Sequence, residues 1–245
     1  MGHSSVRLAG LLGLGLTGAR VLADWNFELG RDGVATLIDG PSLGFASVTE
    51  VYDNARDDFA GGRTVLFGRT RTGAREVGDD LSLSAYSGTT LDSTITTIVN
   101  FSEDSELRRV RRTLRWYERS DSRLLGEVSA IVQFIVPLPP RTGGVLYDAE
   151  GLWDDFNILL QSDIYFTLQY TDPLGINVED LGQRYGGPIN TGSSSRFIRD
   201  FTLGQDIDLG DDQTNLGMAI RVNPIPGPGS IMLLATLPML LRRRR

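Results

Sequence analysis

Cysteine and lysine are absent from the 245 residues, and the single histidine is His3. Without cysteine there is no disulfide framework and no thiol chemistry. Beyond His3 the chain cannot build a Ser-His-Asp triad, a Schiff base, or a histidine-ligated zinc or iron site. What remains for chemistry is carboxylates, tyrosine, and metals such as calcium that take oxygen ligands. Sustained helical periodicity with caps is missing too, as is any internal repeat.

Arginine supplies all 24 basic side chains. Six of them lie near the termini (Arg7, Arg20 and Arg242 to Arg245), whereas all 31 acids fall between Asp24 and Asp212. The central region therefore carries 18 arginines against 31 acids, a net charge of −13. A domain this acidic is repelled by a phosphate backbone, so nucleic acid is not an expected partner; the charge suits solubility outside the cell.

The N-terminus has the layout of a secretory signal. Met1 to Arg7 is a short polar start with one positive charge, and Leu8 to Thr17 is apolar and small. Val21-Leu22-Ala23 presents modest side chains to a signal peptidase, which places cleavage between Ala23 and Asp24. Residues 1–23 thus read as a removable segment, and 24–222 as one domain of about 200 residues, enough for one sizeable core.

That domain reads as strands and turns. Ser93 to Phe101 is β-branched through its middle, Val128 to Val136 is a strong strand ended by Pro137, and Asp163 to Tyr170 alternates, with Ile164, Phe166, Leu168 and Tyr170 on one face. Shorter strands are expected at 33–38, 45–52, 64–67, 81–86, 107–117, 198–203 and 217–222. Gly151 to Leu160 is the one place where a helical turn competes. Many short strands separated by turn signals predict an all-β fold, a single jelly-roll-like β-sandwich.

Four stretches could carry chemistry. In Arg75-Glu-Val-Gly-Asp-Asp-Leu81, Gly78 marks a turn, and Asp79 with Asp80 is a carboxylate pair suited to acid–base work or calcium; a turn leading into a strand explains it equally. Asp206, Asp208, Asp211 and Asp212 crowd four carboxylates into seven residues and are calcium candidates, although Gly210 and Gly217 stand where an EF-hand has ligands. Asp57-Asp58 and Asp154-Asp155 share that ambiguity. Leu107 to Tyr117, with Arg119 behind it, interleaves arginine with aromatics and suits an anionic sugar chain or an amphipathic strand with arginine on its wet face. Asn100-Phe-Ser102 matches the glycosylation triplet.

The C-terminus is the most specific feature. Asn223 to Ser230 is rich in Pro and Gly, Ile231 to Leu241 is apolar, and Arg242, Arg243, Arg244 and Arg245 close the chain. Arginine after an apolar run stays on the cytoplasmic side of a membrane. The run is shorter than the ~20 residues of a full span. This layout resembles the PEP-CTERM sorting signals of exported bacterial surface proteins, with Pro226-Gly227-Pro228 at the motif and Gly227 where that family usually has Glu. Within the domain, Tyr52-Asp53-Asn54, Arg75 to Leu81 and Asn215-Leu-Gly-Met218 are similar to segments found in a group of those proteins.

The resemblance implies export, an exosortase-type membrane transpeptidase that reads residues 223–245, membrane contact through the apolar helix before processing, and residence at the cell surface or in an exopolysaccharide matrix. It implies no catalytic residues and no cofactor. The alternative is a carbohydrate-binding or carboxylate-dependent carbohydrate-cleaving module. Trp116, Trp153 and several Tyr exposed beside paired carboxylates would favour that alternative; the same rings in the core would favour a structural domain.

Overall fold

The computed structural model describes residues 24–38, 49–54, 63–66, 76–83, 86, 88–173, 180–185, 192–207 and 215–223. These hold fourteen strands: β1 (Asp24–Leu29), β2 (Val34–Ile38), β3 (Thr49–Asp53), β4 (Arg63–Leu66), β5 (Glu76–Ser82), β6 (Leu91–Asn100), β7 (Leu107–Glu118), β8 (Leu124–Leu138), β9 (Thr142–Asp148), β10 (Asp163–Thr171), β11 (Leu181–Tyr185), β12 (Ser194–Asp200), β13 (Gln205–Ile207) and β14 (Met218–Val222). A 3-10 turn, Asp154–Phe156, lies inside the segment where a helical turn was expected, and Asn157 in the left-handed conformation closes it.

The strands form one mixed sheet in the order β13-β12-β5-β10-β7-β8-β2-β1-β9-β6-β11-β4, with β14 against the first part of β6 and β3 against β14. Two junctions are parallel. β1 lies along β9 from Asp24 opposite Gly143 to Leu29 opposite Asp148, and β2 pairs with β8 only at Val34 and Ala35. The sheet curls, so that β7 and β10 face β6 and β9 across the interior. Arg112 on β7 reaches Thr96 on β6 and Asp148 on β9, and the Tyr170 hydroxyl on β10 donates to the Thr97 carbonyl on β6 at 3.1 Å.

Side-chain alternation explains which face turns inward. On β10, Ile164, Phe166, Leu168 and Tyr170 are buried as the period-two pattern requires. On β7 the inward phase is Val110, Arg112, Leu114 and Trp116, all buried, and Thr113 of the other phase is buried as well. β6 is buried along its whole length: one face meets the interior, and Ile95 on the other joins Val145, Tyr147 and Ala219 in a second apolar cluster.

Several expected boundaries differ, among them 81–86, where β5 runs from Glu76 to Ser82, and 198–203, where β12 ends at Asp200 and a turn follows. Gly78 does not turn the chain but sits mid-strand in β5, opposite Thr167, where a Cβ would lie 2.5 Å from the Thr167 methyl. β8 runs through Pro137 to Leu138 because its ladder with β7 is irregular between Leu107 and Arg109, and a ladder irregularity tolerates a residue lacking an N–H. Strands β1, β9, β11 and β13 were not expected from the sequence. β9 begins Thr-Gly-Gly, which reads as a turn until one sees that Gly144 packs against the Phe27 ring and the Trp25 carbonyl.

Candidate functional site

Asp79 and Asp80 are adjacent in β5, so their side chains leave opposite faces of the sheet. Asp79 points into the interior and is fully buried. Its Oδ2 accepts the Leu216 N–H at 3.0 Å and the Tyr52 hydroxyl at 3.3 Å, while Oδ1 has no hydrogen-bond partner among the described residues. Burial pushes the Asp79 carboxyl well above the usual aspartate range, against the Leu216 N–H, which favours the charged form. Burial also raises the Tyr52 hydroxyl, and the Asp79 charge adds to the shift. Asp80 lies on the outer face and pairs with Arg119 at 2.5 Å. The two carboxylates therefore do not share a site.

The three segments that carry the family-like motifs meet around Asp79. Asn54 donates its side-chain N–H to the Leu216 carbonyl at 3.1 Å and its backbone N–H to the Met218 carbonyl at 2.9 Å. Ala219 is opposite Asp53 in the β14–β3 ladder, and Ser194 hydrogen-bonds Asn215. Residues far apart in sequence thus close one buried polar knot joining β3, β5, β12 and β14. Buried polar groups persist where partners satisfy them, so this knot fixes how the chain's last described strand docks.

The arginine-rich strand divides by parity. Arg109, Arg111 and Arg115 occupy the outer phase, as an amphipathic strand predicts. Arg112 departs from that expectation, because it shares the inward phase of Val110, Leu114 and Trp116. Its guanidinium donates to Asp148 at 2.5 Å and to Thr96 at 3.0 Å, and both charged side chains are 0% exposed. Asp148 is saturated by further donors, the Thr94 backbone and hydroxyl and the Trp153 indole N–H at 2.8 Å. Arg112 also lies 5.6 Å from the Trp153 ring centre, a cation–π distance. Sequence reasoning missed Asp148; the parity of Arg112 was the available signal that a buried acid must answer it.

Trp116 and Trp153 are buried in the core, 4% and 3% exposed. The outer face of β5, β10 and β7 carries a second cluster. Glu76 accepts the Thr167 and Tyr117 hydroxyls at 2.6 and 2.8 Å on one oxygen and Arg115 at 2.9 Å on the other. Arg115 also donates to Glu127 at 2.6 Å. Burial, then the neighbouring Glu76 carboxylate, pushes the Tyr117 hydroxyl up. Tyr117 stacks on Phe201 with ring centres 4.5 Å apart, Tyr165 meets Phe201 edge-on, and Arg199 lies 5.5 Å from both the Tyr165 and Phe201 rings.

Among the calcium candidates, Asp206 on β13 pairs with Arg199 at 3.1 Å; Asp208, Asp211 and Asp212 lie outside the described residues, as does Asp57-Asp58. Asp154 accepts the Asn223 amide at 2.9 Å, and Asp155 is 3.7 Å from Arg31. No group of three acids among the described residues is arranged to hold a metal ion. Asn100 is buried, and its amide donates to the Ser105, Leu138 and Pro139 carbonyls, so it offers no glycan acceptor in the folded chain. Ala23, Pro226, Gly227, Pro228 and Arg242 to Arg245 lie outside the described residues. No helix among the described residues is long and apolar enough to cross a membrane. No protein-family model matches the chain, and no curated protein matches it.

Proposed function

We propose that this is a non-enzymatic exported protein of the cell surface or extracellular matrix. Its domain is a jelly-roll-like β-sandwich delivered by an N-terminal signal. The C-terminal PEP-CTERM-like segment is read by an exosortase-type transpeptidase, with the apolar helix in the membrane before processing. The observation that carries this reading is the commitment of three carboxylates among the described residues to internal bonds: Asp79 to Tyr52 and Leu216, Asp80 to Arg119, Asp148 to Arg112 and Trp153.

The test is export and sorting. N-terminal sequencing of secreted material is expected to begin at Asp24, and replacing Arg242 to Arg245 with Ser is expected to release or misplace the protein. Sequencing that returns Met1, or unchanged envelope retention of the Ser variant, defeats the reading. A carbohydrate-binding role is a second reading, favoured by the half-buried Tyr117, Tyr165 and Phe201 rings on the outer face; it requires a glycan-array signal, measured with and without calcium, that Phe201→Ala abolishes.

A further inference from the structure

β6 runs from Leu91 to Asn100, about 30 Å at the rise of a strand, and Asp24 and Asn223 lie at its two ends. Asp24 is opposite Gly143, which is opposite Val99, whereas Val222 is opposite Leu91. Asn223 is pinned at the Leu91 end. Its backbone N–H donates to the Thr90 carbonyl at 3.0 Å, and its amide donates to the Thr90 hydroxyl oxygen at 3.0 Å and to Asp154 at 2.9 Å. The segment Ala149 to Leu160 receives it. That segment is tied to the start of β6 by the Trp153 N–H on the Asp92 carbonyl, the Leu91 N–H on the Ile158 carbonyl and the Leu160 N–H on the Thr89 carbonyl, at 3.0, 2.8 and 2.9 Å. It turns Trp153, Ile158 and Leu160 into the core, yet leaves Phe156 and Leu159 58% and 49% exposed. Both stand beside the Asn223 anchor: Leu159 bridges to Thr90, and Phe156 ends the turn that Asp154 begins.

We propose that Phe156 and Leu159 enter the surface of a zwitterionic lipid bilayer, so that the domain stands on the membrane on the Leu91 end of β6. The inference rests on the reading that the apolar run Ile231 to Leu241 occupies the membrane before processing. Seven residues, Pro224 to Ser230, separate Asn223 from that run, and seven residues reach at most about 25 Å. The anchor is therefore held within that distance of the lipid, while the Asn100 end of β6 lies about 30 Å further along the strand. Tethering makes the contact intramolecular, so a small apolar pair engages without a high affinity of its own. Phe and Leu are side chains that settle at the boundary between headgroups and acyl chains. Charge selects the lipid. Asp154 and Asp155 precede Phe156, and Arg31 is the cation beside them, 3.7 Å from Asp155. An anionic leaflet repels so acidic a surface; a zwitterionic one does not.

Because the chain has no cysteine, single thiols carry a polarity-sensitive dye to chosen points. Full chains with Asp155→Cys or Ile135→Cys are labelled and reconstituted with phosphatidylcholine vesicles, with and without a spin-labelled lipid that quenches the dye on contact. Ile135 is the control, 62% exposed on the half of β8 that ends at Leu138, beside Asn100. Emission from position 155 is expected to shift to the blue and to be quenched several-fold more than emission from position 135. Adding Phe156→Ser and Leu159→Ser to the Asp155→Cys chain is expected to abolish the difference, and adding phosphatidylglycerol to the vesicles to reduce it. Flotation separates the two ways to fail. A chain that floats with the vesicles but shows no quenching at 155, equal quenching at 135, or quenching that survives both Ser substitutions overturns the proposal and leaves the reading of the C-terminal segment standing. A chain that does not float overturns both. A blue shift that follows protein concentration in the absence of lipid overturns it in favour of contact between copies.

Discussion

β7 carries two clusters made of the same parts on its two faces. Inside, Arg112 meets Asp148, with Trp153, Thr94 and Thr96 completing the set. Outside, Arg115 meets Glu76, with Tyr117 and Thr167 in the same supporting roles. The ion pairs are 2.5 and 2.9 Å long, but the side chains are 0% and 0% exposed in one, 19% and 12% in the other. The difference lies in what water can do after a bond is lost. In the interior an orphaned charge has no replacement partner, so the whole desolvation penalty appears in the stability. At the outer face water can enter and solvate the survivor, which reduces the loss toward that of a surface pair. The curl of the sheet, rather than the list of side chains, sets the energetic weight of each cluster.

The strongest way to break the comparison is at Asp148. Asp148→Ala leaves Arg112 charged and buried, and strands the Thr94 and Trp153 donors. Removing one partner of a buried ion pair costs about 3–5 kcal/mol, a large share of a domain's total stability. Urea denaturation is expected to show that loss or outright failure to fold. Arg112→Leu combined with Asp148→Leu is expected to recover only part of it, because Thr94 and Trp153 still lack their acceptor. A loss below about 1 kcal/mol would place Asp148 with the surface pairs.

These clusters were unequally legible in the sequence. The alternation of β10 and the β-branched run of β6 announced an all-β chain, since periodicity is a local property. The parity of Arg112 was equally local, but its partner is 36 residues away on a strand with a Gly-Gly start, and nothing local links them. Asp79 and Asp80 looked like a pair because adjacency in sequence was read as adjacency in space. Once Gly78 is placed mid-strand rather than at a turn, the same alternation separates them. The convergence of Tyr52, Asn54, Asp79 and Asn215 was invisible for a related reason, since it depends on which strands neighbour one another after the curl.

Asp79 sharpens the comparison as an interior carboxylate held by neutral donors, the Tyr52 hydroxyl and the Leu216 N–H. Its raised pKa makes stability depend on pH in a defined direction. Below the ordinary aspartate value of about 3.9, folded and unfolded chains both hold the proton and no penalty exists. As pH rises past that value, the unfolded chain releases its proton while folded Asp79 keeps it, so stability falls until Asp79 itself ionises. Asp79→Asn has no proton to keep. Urea midpoints measured from pH 3 to pH 8 are expected to show the unmodified chain losing ground to the variant as pH rises; parallel curves would mean that Asp79 titrates normally in the fold.

The smallest expected effect belongs to the outer rim. Glu127 is 43% exposed, and among the described residues its partner is Arg115. Arg115 keeps Glu76 and Gln169 when Glu127 becomes Gln, and the glutamine oxygen can still accept from the Arg115 N–H. An exposed pair of this kind contributes about 0–1 kcal/mol and is screened by salt. Glu127→Gln is therefore expected to shift the urea midpoint by that amount at most, and less in high salt. A loss as large as that of Asp148→Ala would mean that water does not reach this face, as it would not if another surface covered the β7–β8 ribbon beside Glu127. The rim variant, measured at low and high protein concentration, therefore also reads whether the open side of β8 is as wet as the single chain leaves it.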